Sequence, residues 1–218
     1  MKESSLLFVC TGNICRSVMA EGFLKDLVQR DGAALRISSA GVFADAGDAP
    51  PRDVVGIMAE RGVDVSGHRS KPLSNEDIVS ADLLITMAIH QSRKVFIRAH
   101  ELGWKVFTLK EFVVCAEGLD GEAHGEGAEL APFLHRLRGP EGLSNLLKDS
   151  PEAQELLRRG ELDENFVQRF LHLHHHIYED LSVDDPIGQS RAFMGRCADE
   201  IEEYVGRLYR CLTAASIC

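Results

Sequence analysis

Short apolar runs alternate with amphipathic stretches along the chain. Residues 5–10 (SLLFVC) form a continuous apolar run of strand length that ends at a Gly-Asn pair, the pattern of a strand buried on both faces. Residues 17–30 then take up helical spacing, with Met19, Phe23, Leu24 and Leu27 on one face. A second strand is predicted over Leu35–Ser39, ended by Gly41, and a helix opening after Pro50-Pro51 runs to Arg61 and stops at Gly62. Ser74, with Asp77 three residues on, predicts a capped helix to Ser80. DLLITM (82–87) is a third buried strand, His90 to Leu102 a helix, and Lys105–Thr108 a fourth strand. Phe193–Leu212 closes the pattern as an amphipathic helix whose apolar stripe is Phe193, Cys197, Ile201, Tyr204, Val205 and Leu208. Strands alternating with helices imply crossover connections and a parallel, doubly wound sheet. The predicted class is α/β: three layers, with four parallel strands between helices.

Charge alters this picture in one place. The 218 residues carry 24 Lys+Arg and 34 Asp+Glu, a net charge of −10. Residues 1–115 hold 14 basic and 14 acidic side chains, and residues 186–218 hold 4 of each, so the whole excess falls within 116–185. That segment opens on the glycine-rich GLDGEAHGEG, continues with helical patches over 128–138 and 151–159, and then reads DENFVQRFLHLHHHIYEDL. In this last piece Phe166, Val167, Phe170, Leu171, Leu173, Ile177 and Leu181 share one helical arc, which predicts packing against the body. The resulting organisation is one domain over 1–218, carrying an acidic, mainly helical insertion over 116–182.

A composition with 44% apolar residues suffices for a core, and the negative total disfavours non-specific binding to nucleic acid or an anionic membrane. The early apolar run Leu6–Cys10 falls far short of the ~20 residues that span a bilayer. Preceded by Lys2 and Glu3 and followed by glycine, it is also a poor signal peptide. The cysteines at 10, 15, 115, 197, 211 and 218 form no CxxC pair, so neither a disulfide framework nor a zinc site is predicted, and a reducing cytoplasm is.

The chemistry concentrates in Cys10-Thr11-Gly12-Asn13-Ile14-Cys15-Arg16-Ser17, between the first strand and the first helix. This loop leaves the carboxyl end of a parallel strand, where open α/β sheets bind ligands. It enters a helix N-terminus, whose unpaired N–H groups and dipole attract an anion. Gly12 is expected to let the backbone curl so that successive amides converge, and Arg16 can grip two oxygens of a phosphate with its planar fork. Cys10, in that positive field, is the expected thiolate nucleophile. The competing reading is a buried strand-end cysteine beside a surface arginine. A phosphomonoester also needs an acid for its departing oxygen. Val183–Gly188 places Asp184 and Asp185 ahead of Pro186, and Asp185 is the candidate.

Taken together, VCTGNICRS with its MAEG continuation, SAGV (Ser39–Val42), SGHRS (Ser66–Ser70), ADLLITM, TLKEF and the late Asp-Pro resemble the low-molecular-weight protein tyrosine phosphatase family, over residues 5–113 and 183–212. The resemblance implies a phosphorylated protein or peptide substrate, no metal and no cofactor. Cys10 would become phosphorylated and water would then hydrolyse the phosphocysteine, with Arg16 on the phosphoryl oxygens and Asp185 acting first as acid, then as base. Thr11, Gly12, Asn13, Ile14, Cys15 and Ser17 would line the phosphate loop. Ser17 would hydrogen-bond the thiolate, while Asn13, with Ser39 and His68, would hold the loop's shape. Cys15 matches the family's neighbouring cysteine, which can form a reversible disulfide with the nucleophile and shield it from over-oxidation.

Departures from the family pattern bear on substrate. Val18 replaces a usual proline, Ile187 replaces an aromatic after Asp-Pro, and Asp45 falls near where an aromatic often walls the pocket. SAGVFA and TLKEFV look most like the bacterial protein-arginine phosphatase branch, yet Ile14 is the tyrosine-type residue where that branch has threonine. Phosphotyrosine is therefore the first reading and phosphoarginine the alternative. An arsenate reductase would need two more cysteines close after the third strand, and only Cys115 is near. A regulatory module that keeps the fold and docks a partner through 116–182 is a further alternative, against which the full set of Cys10, Arg16 and Asp185 speaks. His172 and His176, with Glu179, have a zinc-compatible spacing, but no further ligand is nominated and a polar helix face is the reading. The acidic insertion, directly ahead of Asp185, is expected to screen substrates electrostatically.

Overall fold

The N-terminal apolar run forms β1 (Ser4–Cys10), buried from Leu6 to Cys10, in a computed structural model that describes residues 3–117, 134, 135, 137, 155, 158, 159 and 181–215. β1 pairs in parallel with β2 (Leu35–Gly41) on one side and β3 (Leu83–Thr86) on the other, and β4 (Val106–Thr108) completes the order β2-β1-β3-β4. Continuous apolar strands of this kind need cover on both faces. On one face α1 (Arg16–Asp31), α5 (Leu109–Glu117) and α6 (Arg191–Ala214) enclose the larger core around Phe8, Ile85, Phe107 and Phe112. On the other, α3 (Asn75–Ser80) and α4 (Ile89–Arg98) cover Leu7, Val9, Leu84 and Val106. The predicted α/β architecture with four parallel strands is the observed one.

Local signals account for several boundaries. α2 (Arg52–Glu60) follows Pro51 and is stopped where Gly62 adopts φ 79°. Ser74 and Asp77 form the reciprocal capping box of α3. On α6 the core-facing stripe is Met194, Cys197, Ala198, Ile201, Val205 and Leu208, whereas Phe193 and Tyr204 lie half-buried at its edges beneath Arg196 and Arg207.

Two departures have physical causes. The helix predicted to Leu102 ends at Arg98, and a 3-10 turn (His100–Lys105) replaces its last part. Ala99 leaves helical geometry at φ −155°, and the chain turns so tightly under Phe96 that a Cβ at Gly103 would collide with its ring. The hydrophobic pattern predicts no helix at α5, although Thr108-Leu-Lys-Glu111 carries its start. Glu111 Oε2 accepts from the Thr108 N–H at 3.0 Å, and Thr108 Oγ1 accepts from the Glu111 N–H at 3.1 Å.

Leu134 and Leu137 are buried in the larger core, and the His135 ring stacks on Trp104 at 4.8 Å. The helix expected around Phe166 and the histidines at 172 and 174–176 lie outside the described residues. Among the described residues no helix is long and apolar enough to cross a membrane.

Candidate active site

The carboxyl ends of β1, β2 and β3 bring four segments together. The loop from Cys10 to Ser17 joins β1 to α1, and β2 closes against it through Val42 N–H to Cys10 O and Phe43 N–H to Thr11 O, both 2.9 Å. The segment before α6 reaches the same edge, where the Val183 N–H donates to Met87 O at 2.8 Å. Gly41 makes this convergence possible: a Cβ there would lie 2.6 Å from Thr11 O and 2.9 Å from Asn13 N. In the sequence Gly41 reads only as a strand end.

Within the loop the left-handed residue is Asn13, at φ 53°, rather than Gly12, which is not among the positive-φ glycines. Asparagine tolerates this region, and its buried side chain secures it. Asn13 Nδ2 donates to Ser17 Oγ at 3.0 Å and to Ser39 Oγ at 2.8 Å, while Oδ1 accepts the Lys71 N–H at 2.8 Å. His68 Nε2 lies 2.9 Å from Asn13 O, and because a carbonyl only accepts, that nitrogen carries the hydrogen. Ser39 in turn donates to Glu21 Oε2, which faces His68 Nδ1 at 3.9 Å. Glu21 thus anchors the far end of the network, a role that MAEG does not disclose.

Cys10 Sγ accepts the Asn13 N–H at 3.2 Å and lies 3.0 Å from Ser17 Oγ. Asn13 Nδ2 already donates to Ser17 Oγ, so the hydroxyl proton is left to point at the sulfur, an arrangement that suits a thiolate. Arg16 is only 3% exposed, against the surface placement that would have made the motif incidental. Its Nη1 donates to Val183 O at 3.0 Å and its Nη2 to Asp185 Oδ2 at 2.7 Å. Asp185 is half-exposed, and its Oδ1 accepts the Ile187 N–H at 3.2 Å. Asp184 is also exposed and makes its contact through its carbonyl, 3.8 Å from Cys197 Sγ.

Cys15 is buried beside the nucleophile candidate. Burial first, and then the charge of Cys10, push its thiol up to about 12. Ile14 is partly buried against the core. Two further residues carry no signal in the sequence. His90, in the first turn of α4, is held below its ordinary value by burial and then by the Arg16 guanidinium. Gln91, fully buried, donates through Nε2 to Thr11 Oγ1 at 3.2 Å. The rim carries two exposed apolar side chains, Phe43 at 64% and Ile187 at 49%, each tied by its N–H to the loop or to Asp185. Phe43, two positions before Asp45, is an exposed aromatic joined by its backbone to the Cys10–Ser17 loop, and Lys94 Nζ lies 4.6 Å from its ring centroid.

A cysteine sulfur that accepts hydrogen bonds, a forked guanidinium and a carboxyl group are the kinds of group that can serve as nucleophile, oxyanion clamp and acid in phosphoryl transfer. Residues 5–123 match the family model described as low molecular weight phosphotyrosine protein phosphatase. A protein-arginine-phosphatase of Bacillus subtilis is 40% identical over 116 residues, which is 52% of this chain and 75% of that protein. A probable low molecular weight protein-tyrosine-phosphatase, EpsP, of Ralstonia solanacearum is 35% identical over 107 residues, 49% of this chain and 71% of its own. The crystal structure of a low molecular weight protein tyrosine phosphatase from T. tengcongensis superimposes with a TM-score of 0.62 at 27% identity, covering 95% of this chain and 98% of that one.

Proposed function

The chain belongs to the low-molecular-weight phosphotyrosine protein phosphatase family, and from that membership we propose that it hydrolyses phosphotyrosine on proteins through a phosphocysteine on Cys10. The observation that carries the reading is the convergence of Cys10 Sγ with its two hydrogen-bond donors and of Arg16 with Asp185 at 2.7 Å.

In the first step Cys10 Sγ attacks phosphorus in line with the departing oxygen. The incoming phosphate takes the place of Asp185 on Arg16, and Asp185, released and protonated from solvent, passes that proton to the leaving phenolate oxygen as the P–O bond breaks. Arg16 and the loop amides hold the three equatorial oxygens, whose charge is spread in the transition state. In the second step Asp185, now a carboxylate, takes a proton from water as that water attacks the phosphocysteine. The S–P bond then breaks, inorganic phosphate leaves and the Cys10 thiolate returns. Ser17 steadies the thiolate in both directions, and Asn13, Ser39 and His68 keep the loop amides aimed inward.

Ile14 and the exposed faces of Phe43 and Ile187 favour a flat aromatic group over a charged guanidine. The likeness to the Bacillus arginine phosphatase favours phosphoarginine instead. Turnover of phosphotyrosyl and phosphoarginyl peptides, side by side and with Cys10→Ser as the blank, separates the two. Faster phosphotyrosine turnover supports the first reading, faster phosphoarginine turnover replaces it, and no turnover of either would leave a phosphate-binding module.

Residues 116–182 are proposed as an acidic insertion in a single phosphatase domain that screens substrates by charge or docks a partner. Basic phosphopeptides should then be preferred over acidic ones, with the preference collapsing as salt rises. A selectivity independent of salt would end that idea. A thiol nucleophile suits a reducing cytoplasm.

A further inference from the structure

Gln91 is fully buried in the first turn of α4, yet the mechanism above makes no use of it. Its amide orientation is fixed by its partners. Oε1 accepts the N–H groups of Met87 and Ala88, each at 2.9 Å, which only the oxygen end of the amide can do. The NH2 group is therefore turned the other way, and Nε2 donates to Thr11 Oγ1 at 3.2 Å. A second donor approaches the same oxygen, Arg16 Nη2 at 3.5 Å.

A threonine hydroxyl has two acceptor lone pairs and one proton. With N–H donors from Gln91 and Arg16 directed at its oxygen, the Thr11 proton can point at neither of them. Thr11 follows Cys10 directly, and the guanidinium beside it is the group assigned to the phosphoryl oxygens. We propose that Gln91 is a positioning residue: it holds the Thr11 hydroxyl with its proton turned toward the bound oxyanion, adding a side-chain donor to the amides of the loop. The inference rests on the phosphatase reading. A donor oriented before the substrate arrives stabilises developing charge without reorganising at the moment of reaction, and it acts on a tetrahedral oxyanion whatever group that anion esterifies.

The test is a double-mutant cycle on the full chain, with p-nitrophenyl phosphate as substrate and orthovanadate as inhibitor. Thr11→Val keeps the shape and removes the hydroxyl, and Gln91→Met removes the amide. Each is expected to lower kcat/KM about tenfold, the loss for one hydrogen bond to a charged oxygen, and to weaken vanadate inhibition by a similar factor. The double variant should be no slower than Thr11→Val, and Thr11→Ser should recover most of the loss. Gln91→Met also uncaps the Met87 and Ala88 amides, so its Tm will fall, but a purely structural role would multiply with Thr11→Val rather than vanish in its presence. Multiplying losses, or Thr11→Val at the parental rate, would overturn the proposal. If Gln91→Met does not fold, equal rates for Thr11→Val and Thr11→Ser overturn it alone. No turnover by the parent sinks the phosphatase reading and this inference with it, whereas an active parent with an unaffected Thr11→Val sinks only this one.

Discussion

Arg16 Nη2 lies 2.7 Å from Asp185 Oδ2, joining residues 169 positions apart in the chain. The same guanidinium donates through Nη1 to Val183 O at 3.0 Å, so the segment bearing Asp185 is held to the Cys10–Ser17 loop by backbone as well as by charge. Arg16→Lys keeps the charge and loses the fork, because an ammonium cannot span two oxygens in one plane. The expected result is a fall in kcat/KM of about a hundredfold or more, as two charge-assisted hydrogen bonds are weakened in the transition state. Asp185→Asn should lower kcat by about 10²–10⁴-fold on phosphotyrosine, the range for loss of a general acid, with little change in KM. Steady-state kinetics of both variants check this, and an Asp185→Asn enzyme at parental kcat would remove Asp185 from the acid role.

Gly41 is the second point at which the site can be broken remotely. The Cβ of Gly41→Ala would sit 2.6 Å from Thr11 O and 2.7 Å from Ala44 Cβ. Backbone cannot move aside as a flexible side chain can, so the loop amides must shift. Misplacement of about 1 Å at a site of this kind costs about a hundredfold in rate. Gly41→Ala is therefore expected to lose most of its turnover along with a few degrees of Tm, whereas Gly67→Ala, with open space around it, should lose neither. Calorimetry and kinetics on the pair decide it.

The hydrogen-bonded cluster of the Cys10–Ser17 loop was legible in the sequence because its parts are contiguous: one strand end, eight residues and one helix start hold Cys10, Asn13, Arg16 and Ser17. Gly41, Glu21 and Gln91 were not legible, since each matters through a neighbour that only the parallel register and the β3–α4 turn bring close. α5 was hidden for another reason. VFTLKEFVV is apolar enough to read as the tail of a strand, and the capping box at Thr108 and Glu111 is the only local sign of the switch. The helix expected to Leu102 failed because periodicity carries no information about the contact between Phe96 and Gly103 that bends the chain.

Asp77 gives a pH-dependent test of fold stability. Burial pushes its carboxyl up, but hydrogen bonds from Lys71 and Ser74 outweigh it and hold the group below its ordinary 3.8. A carboxylate with a lowered folded value contributes stability above the unfolded value and loses it as pH falls through the folded one. Asp77→Ala should cost about 1 kcal/mol at pH 7, the usual worth of a capping interaction. The gap between parent and variant should narrow only below pH 3.8. Urea unfolding from pH 7 downward measures it, and a gap that closes near neutrality would assign the stabilisation to another group.

Cys15 offers a chemical test of the environment around Cys10. Burial, reinforced by Cys10, pushes the Cys15 thiol up to about 12, and only the thiolate reacts with an alkylating agent. At pH 7 Cys15 is therefore overwhelmingly in the un-ionised thiol form. Cys10 is placed differently, with the Ser17 hydroxyl and the Asn13 N–H both directed at its sulfur. Limited iodoacetate treatment at neutral pH is therefore expected to label Cys10, abolish turnover and leave Cys15 unmodified. Because burial is the larger cause, Cys10→Ser should not expose Cys15 to the reagent. Peptide mapping by mass spectrometry reads both outcomes, and orthophosphate should slow the labelling of Cys10 by occupying the loop. Labelling of Cys15 at a rate comparable to Cys10 at pH 7 would show that the two thiols exchange roles, and would move the nucleophile assignment with them.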